Sequence, residues 1–163
     1  MLFLIQQVKA QQSGKFECTV LSEDIFNNRA VVYCITDKAI IIKYKLSYFF
    51  YINNKKKNEK DIIISIINLD SSQKKTFEKI DTTICQDPLE SYYANACIID
   101  GMVLHFNFRW NDKKKSTTIR NYYLNQMKPL IDFINQIVPK KYEIFYNKKR
   151  LQKEMKGCSY IIN

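Results

Sequence analysis

Three glycines, three prolines and one histidine in 163 residues set the first limits. Three scattered glycines cannot build the phosphate-cradling loops of Walker or dinucleotide type, which need several within a few residues. A single histidine excludes a multi-histidine metal centre. There is no Cys-x-x-Cys motif and no serine elbow, and acids such as Glu23-Asp24 are adjacent only in a loop. No cofactor is expected, and the chain reads as a non-enzyme. Arginine is scarce too: four, against 22 lysines, in a chain of net charge +10. The planar fork that recognises phosphates and base edges belongs to arginine, whereas lysine is a strongly hydrated point charge. The positive charge therefore reads first as solvated surface. Its second reading is nucleic-acid or polyanion binding through Lys55, Lys56, Lys57, Lys113, Lys114 and Lys115, placed on loops. No apolar run approaches the ~20 residues that span a bilayer, so no transmembrane segment is expected.

What is present is the composition of a folded protein: 46% hydrophobic and 13% aromatic residues, too apolar for wholesale disorder. The length suits one domain. Residues 1–10 stand apart from it. Met1–Ile5 is apolar and Val8-Lys9-Ala10 has the small-residue form of a signal cleavage site, but the basic n-region is missing and the apolar core is short. Either the start is assigned too far downstream and a signal peptide is truncated, or these residues are an ordinary strand or tail. The truncated signal is the preferred reading, because polar Gln11–Lys15 then becomes a mature N-terminus. Residues 11–163 are then one α+β domain with a basic C-terminal tail. The expected location is periplasmic or secreted, with cytoplasmic as the alternative.

Hydrophobic spacing predicts the elements. Phe16–Leu21 and Arg29–Ile35 read as strands around a loop at Asn27-Asn28. Lys38–Lys45 follows a Thr36-Asp37 turn, and Leu46–Ile52 either continues it or forms its own strand. Asn53–Lys60 is a basic loop, and Asp61–Leu69 is a strand by its isoleucine content. Asp70 or Ser71 could cap a helix carrying Phe77, Ile80 and Ile84, or that segment is extended. Asp87-Pro88-Leu89-Glu90 has a helix-start pattern, read as a single turn. The strongest local signal is Asp100-Gly101, a two-residue hairpin turn requiring positive φ. It would place Tyr93 opposite Phe108, Cys97 opposite Leu104 and Ile99 opposite Met102. Met102, Leu104, Phe106, Phe108 and Trp110 alternate with Val103, His105, Asn107 and Arg109, the period of a half-buried strand. Asn111, Asp112 and the lysines that follow make the next turn, and Ser116–Arg120 returns as a third strand. Tyr123 to Val138 then carries apolar residues at helical spacing, with Pro129 marking the start or a kink. Pro139 ends that helix, Tyr142–Tyr146 is a candidate last strand, and Lys148–Lys156 is weakly helical. The fold class is α+β: a mostly antiparallel sheet with one long C-terminal amphipathic helix across one face.

The candidate functional residues follow. His105, Asn107 and Arg109 share the polar face of their strand and form a possible binding patch. The same turn puts Cys97 and His105 on opposite faces, which disfavours a Cys–His dyad. If the chain is exported, Cys18 and Cys34 are the best-placed disulfide, opposite each other in a hairpin centred on Phe26 and sharing a face with Phe16, Val20, Ala30 and Val32. Cys85 and Cys97 are the second pair, and Cys158 is left over. Tyrosines at 48, 51, 92, 93, 122, 123, 142 and 146 supply either half-buried strand residues or a protein interface. The functional expectation is a small binding protein, an inhibitor or immunity-type protein acting on a protein partner. The cytoplasmic polyanion binder is the alternative.

Overall fold

The computed structural model describes residues 16–24, 29–46, 62–86, 88–98, 101–111, 113–153 and 159–163. Four strands come first, Phe16–Asp24 (β1), Arg29–Ile35 (β2), Ala39–Leu46 (β3) and Ile62–Asn68 (β4), each antiparallel to the next. Helix α1 spans Ser71–Gln86. Strands Tyr92–Asn95 (β5), Met102–Trp110 (β6) and Lys113–Arg120 (β7) follow. Helices Lys128–Ile137 (α2) and Lys148–Lys153 (α3) and strand Tyr160–Ile162 (β8) complete the order. All the strands join one eight-stranded sheet, β4-β3-β2-β1-β6-β7-β5-β8. Every pairing is antiparallel except β5 with β7. The α+β class with a mostly antiparallel sheet is thus present.

Alternation builds the core. Phe16, Cys18 and Val20 of β1, Tyr33 and Ile35 of β2, Ile40 and Ile42 of β3, and Leu104, Phe106 and Phe108 of β6 are all buried in one cluster. That face is covered by Phe77, Ile80 and Ile84 of α1 and by Leu130, Ile131, Phe133 and Ile134 of α2. The Phe77 ring joins the layers, 5.1 Å from Phe16 and 5.6 Å from Phe133 between centroids. Burying each such side chain contributes about 1.5–3 kcal/mol. Strand β4 forms one edge of the sheet and leaves Ile62, Ile63 and Ile66 exposed. Its register shifts between Ile42 and Lys43 of β3, an irregularity of the kind that twists an edge away from further pairing.

Local chemistry explains the element ends. At the β2–β3 turn the Thr36 hydroxyl accepts from the Lys38 and Ala39 N–H groups, both at 3.2 Å. The undecided segment after β4 is helical. Asp70 Oδ1 accepts from the N–H groups of Ser72 and Gln73 at 2.8 Å, and Gln73 Oε1 accepts from the Asp70 N–H at 2.9 Å, a reciprocal capping box. Residues 88–90 are not helical, so the turn expected at Asp87-Pro88 does not form where the chain is described.

The long C-terminal helix is shorter than its apolar spacing suggests. Tyr122–Leu124 is irregular, Asn125–Met127 is a 3-10 turn, and α2 has ten residues. Pro129 sits in the first turn of α2, where its missing N–H has no helical partner to lose. Tyr142–Tyr146 is likewise not a strand. Lys140–Tyr142 is a 3-10 turn, and the Asn135 amide then holds Ile144 as a neighbouring strand would, accepting from its N–H at 2.7 Å and donating to its carbonyl at 2.9 Å.

The hairpin expected at Asp100-Gly101 is corrected. β5 does not pair with β6; β7 lies between them, with Tyr93 opposite Ile119 and Phe108 opposite Lys115 and Cys18. Gly101 does need its conformation, with φ +137°, but as part of a wider crossing over the end of β7. Asn121, buried with φ +49°, anchors that crossing. Its Oδ1 accepts from the Met102 N–H at 2.8 Å, its N–H donates to the Met102 carbonyl at 2.9 Å, and its Nδ2 reaches the Ile98 carbonyl at 3.4 Å. The tight hairpin is instead β6–β7, where Trp110 faces Lys113 and Asn111 takes φ +50°. Lys113, Lys114 and Lys115 are strand residues rather than loop residues.

Candidate functional site: the outer face of strands β1, β6 and β7

The sheet face opposite the core carries the polar residues of its three central strands in register. Arg109 of β6 stands between Glu17 of β1 and Lys114 of β7, Asn107 between Thr19 and Ser116, and His105 between Leu21 and Thr118. The strand period of two puts these rows together, since each polar residue alternates with a core residue. His105, Asn107 and Arg109 therefore share one face, half-buried at His105 and exposed at the other two.

The Arg109 guanidinium pairs with the Glu17 carboxylate. His105 Nδ1 lies 3.0 Å from the Thr118 hydroxyl, and its Nε2 lies 3.8 Å from Oε2 of Glu23, a carboxylate whose side chain is 9% exposed. Over the Arg109 row opens a pocket of about 480 Å³, lined among others by Glu17, Thr19, Asn107, Arg109, Lys114 and Ser116 and reaching Lys115. By alternation the Arg109 and Lys114 side chains and the Glu17 carboxylate border it, so it carries one more positive charge than negative. The β1 and β7 contributions were missed in reading the sequence, although Glu17 and Thr19 alternate with Phe16, Cys18 and Val20 as visibly as the residues of β6 do.

The lysine triplet does not act as one patch. Alternation sets Lys114 beside Arg109, whereas Lys113 and Lys115 are in register with Trp110 and Phe108. Lys55, Lys56 and Lys57 lie outside the described residues, as does the candidate signal remnant at residues 1–10. Of the interface tyrosines, Tyr48 and Tyr51 also lie outside, Tyr93 and Tyr123 are buried, and Tyr92, Tyr122, Tyr142 and Tyr146 are half-buried.

The Cys18–Cys34 disulfide is not formed, and both thiols are free. β1 and β2 pair one residue away from the expected register, so Cys18 faces Ile35 and Cys34 faces Thr19. A one-residue shift turns a side chain to the other face of the sheet. Cys18 thus lies in the core with Phe16 and Val20, while Cys34 lies on the outer face with Ala30 and Val32. Burial, with Cys34 nearby, pushes the Cys18 thiol well above its ordinary range and keeps it protonated. Cys97 is disulfide-bonded, which removes it as a thiol partner for His105. The side chain of Cys85 and the whole of Cys158 lie outside the described residues.

Among the described residues no group of three His, Cys, Asp or Glu could hold a metal ion, and no helix is long and apolar enough to cross a membrane. No protein-family model matches the chain, and no curated protein aligns with it at a significant level.

Proposed function

We propose that this chain is a non-enzymatic binding protein, of inhibitor or immunity type, that engages a protein partner through the outer face of β1, β6 and β7. The observation that carries the reading is the cationic pocket over the Arg109 row, framed by the Glu17 carboxylate. A polar patch of mixed sign with a small positive surplus suits the acidic side chains of a folded partner, and it fixes register as well as attraction. A polyanion would favour a continuous cationic track, and the alternation along Lys113–Lys115 breaks such a track. We place the protein in the periplasm or outside the cell.

The test is capture from native extract by the parent, by the double variant Arg109→Glu/Lys114→Glu and by the single variant Lys75→Glu, an exposed charge reversal on α1, as a control away from this face. Each is washed at low and at moderate salt, with nuclease-treated samples alongside. A discrete protein retained through nuclease and moderate salt, and lost at least tenfold with the double charge reversal alone, is the expected result. Recovery of nucleic acid only, released at moderate salt, would establish the polyanion reading instead.

A further inference from the structure

Residues 140–152 carry five exposed cations, Lys140, Lys141, Lys148, Lys149 and Arg150, against one exposed carboxylate, Glu143. Among them stands Phe145, a phenylalanine left 56% exposed. The segment is tied to the body of the protein at three points. Tyr33 of β2 donates its hydroxyl to the Tyr142 carbonyl, Asn135 of α2 holds Ile144 through both its amide atoms, and Tyr146 bonds the Leu124 backbone. Ile144 and Leu151 are buried, so the apolar side of the segment faces inward. In α3 a rotation of about 100° per residue then sets Lys149 nearly opposite Leu151, with Lys148 and Arg150 on its flanks. Tyr33 and α2 belong to the core side of the sheet, so this surface lies on the side away from the outer face of β1, β6 and β7.

We propose that this surface docks on a bilayer containing anionic phospholipids, with its cations among the headgroup phosphates and the Phe145 ring seated beneath them. Charge complementarity names the occupant. An anionic leaflet attracts clustered lysines and arginines that come within a Debye length of it. An exposed aromatic ring adds burial below the headgroups, and the two contributions act together at such an interface. The docking concerns a different face from the partner pocket and does not rest on that reading.

A single-stranded nucleic acid is the competing polyanion, and the rings argue against it. Successive bases need open aromatic faces beside the cations. Here Lys141 Nζ lies 4.9 Å from the centre of the Tyr142 ring, Lys148 Nζ 5.7 Å from that of Tyr123 and the Arg150 guanidinium 5.2 Å from that of Phe145. Tyr146 stacks on Tyr123 at 4.8 Å, so these two rings cover each other. Four of the five cations are lysines, which lack the planar fork that reads base edges.

The experiment is co-sedimentation of the full chain with vesicles of phosphatidylcholine alone and of phosphatidylcholine with one third phosphatidylglycerol. The parent should partition at least tenfold more strongly onto the anionic vesicles. The variant Lys148→Gln/Lys149→Gln/Arg150→Gln should lose at least tenfold of that binding. The variant Lys38→Gln/Lys74→Gln/Lys75→Gln removes the same charge from exposed positions in the β2–β3 turn and on α1, and should bind within twofold of the parent. Phe145→Ser keeps every cation, and should lose the part of the binding that the parent retains at moderate salt. Equal losses in the two triple variants would reduce the effect to overall charge and overturn the site. Parent-like binding by Phe145→Ser at moderate salt would overturn the seating of the ring. Release of the parent from the vesicles by single-stranded oligothymidylate, with the protein retained on it at moderate salt, would establish nucleic acid as the occupant instead.

Discussion

Asn121 and Gly101 are held in close contact. A Cβ placed on Gly101 would lie 2.3 Å from Oδ1 of Asn121, the atom that accepts from the Met102 N–H. Gly101→Val would therefore combine a β-branched residue at positive φ with a displaced buried acceptor. It should destabilise the fold by at least ~2 kcal/mol, through strain and a lost buried hydrogen bond. Urea unfolding measures it, and an unchanged midpoint would mean that Gly101 does not take this conformation in solution. The need for glycine was visible in the Asp-Gly dipeptide. Its cause was not, because Asn121 lies twenty residues away and no local pattern announces that its side chain closes the crossing. Cys34 shows the same limit. The strands of its hairpin were read correctly, but a shift of half a residue in the turn centre, which no composition rule resolves, moves it from the core face to the outer face.

At the scale of elements, the strands and helices that announce themselves are those with strong local chemistry. β6 alternates over its whole length, and its polar face was readable residue by residue. α1 was undecided by periodicity alone, and the Asp70–Gln73 capping box decides it. Asp70→Ala removes the acceptor for two orphan N–H groups and should cost about 1 kcal/mol. Asp70→Asn should cost less, since its carbonyl can still accept. Thermal unfolding of the three proteins checks the order, and a variant Asp70→Ala as stable as the parent would show that the cap is dispensable. β5 lies at the other extreme. Four residues, three of them paired in parallel to a strand that comes later in the chain, leave no periodic trace, and the nearer, antiparallel partner β6 was the natural expectation. The ten-residue α2 was overextended for a different reason. Tyr123 and Met127 are buried at helical spacing although the chain before Lys128 is not α-helical, so burial alone imitates the period.

At the scale of the whole molecule, two phenols, one buried and one half-buried, tie the C-terminal segment to the rest. Tyr33 of β2, 2% exposed, donates its hydroxyl to the Tyr142 carbonyl. The Tyr146 hydroxyl accepts from the Leu124 N–H at 2.6 Å and donates to its carbonyl at 2.9 Å, and its ring stacks on Tyr123. Burial is the main cause that pushes both phenols above their ordinary value of 10.0. The unfolded chain, by contrast, releases these protons near that ordinary value. Above about pH 10 the unfolded state then holds fewer protons than the folded one, so stability falls as pH rises, and below about pH 9 these groups contribute no slope. Each phenol adds up to about 1.4 kcal/mol per pH unit to the fall, on top of what the buried Cys18 thiol contributes. The double variant Tyr33→Phe/Tyr146→Phe loses its hydrogen bonds and should be less stable at pH 8, yet its decline between pH 9.5 and 11 should be shallower than the parent's. Urea midpoints across that range measure both slopes. Parallel curves would mean that the two hydroxyls are open to solvent in the folded protein, and that the C-terminal segment is not held against the sheet and α2 in the way the hydrogen bonds describe.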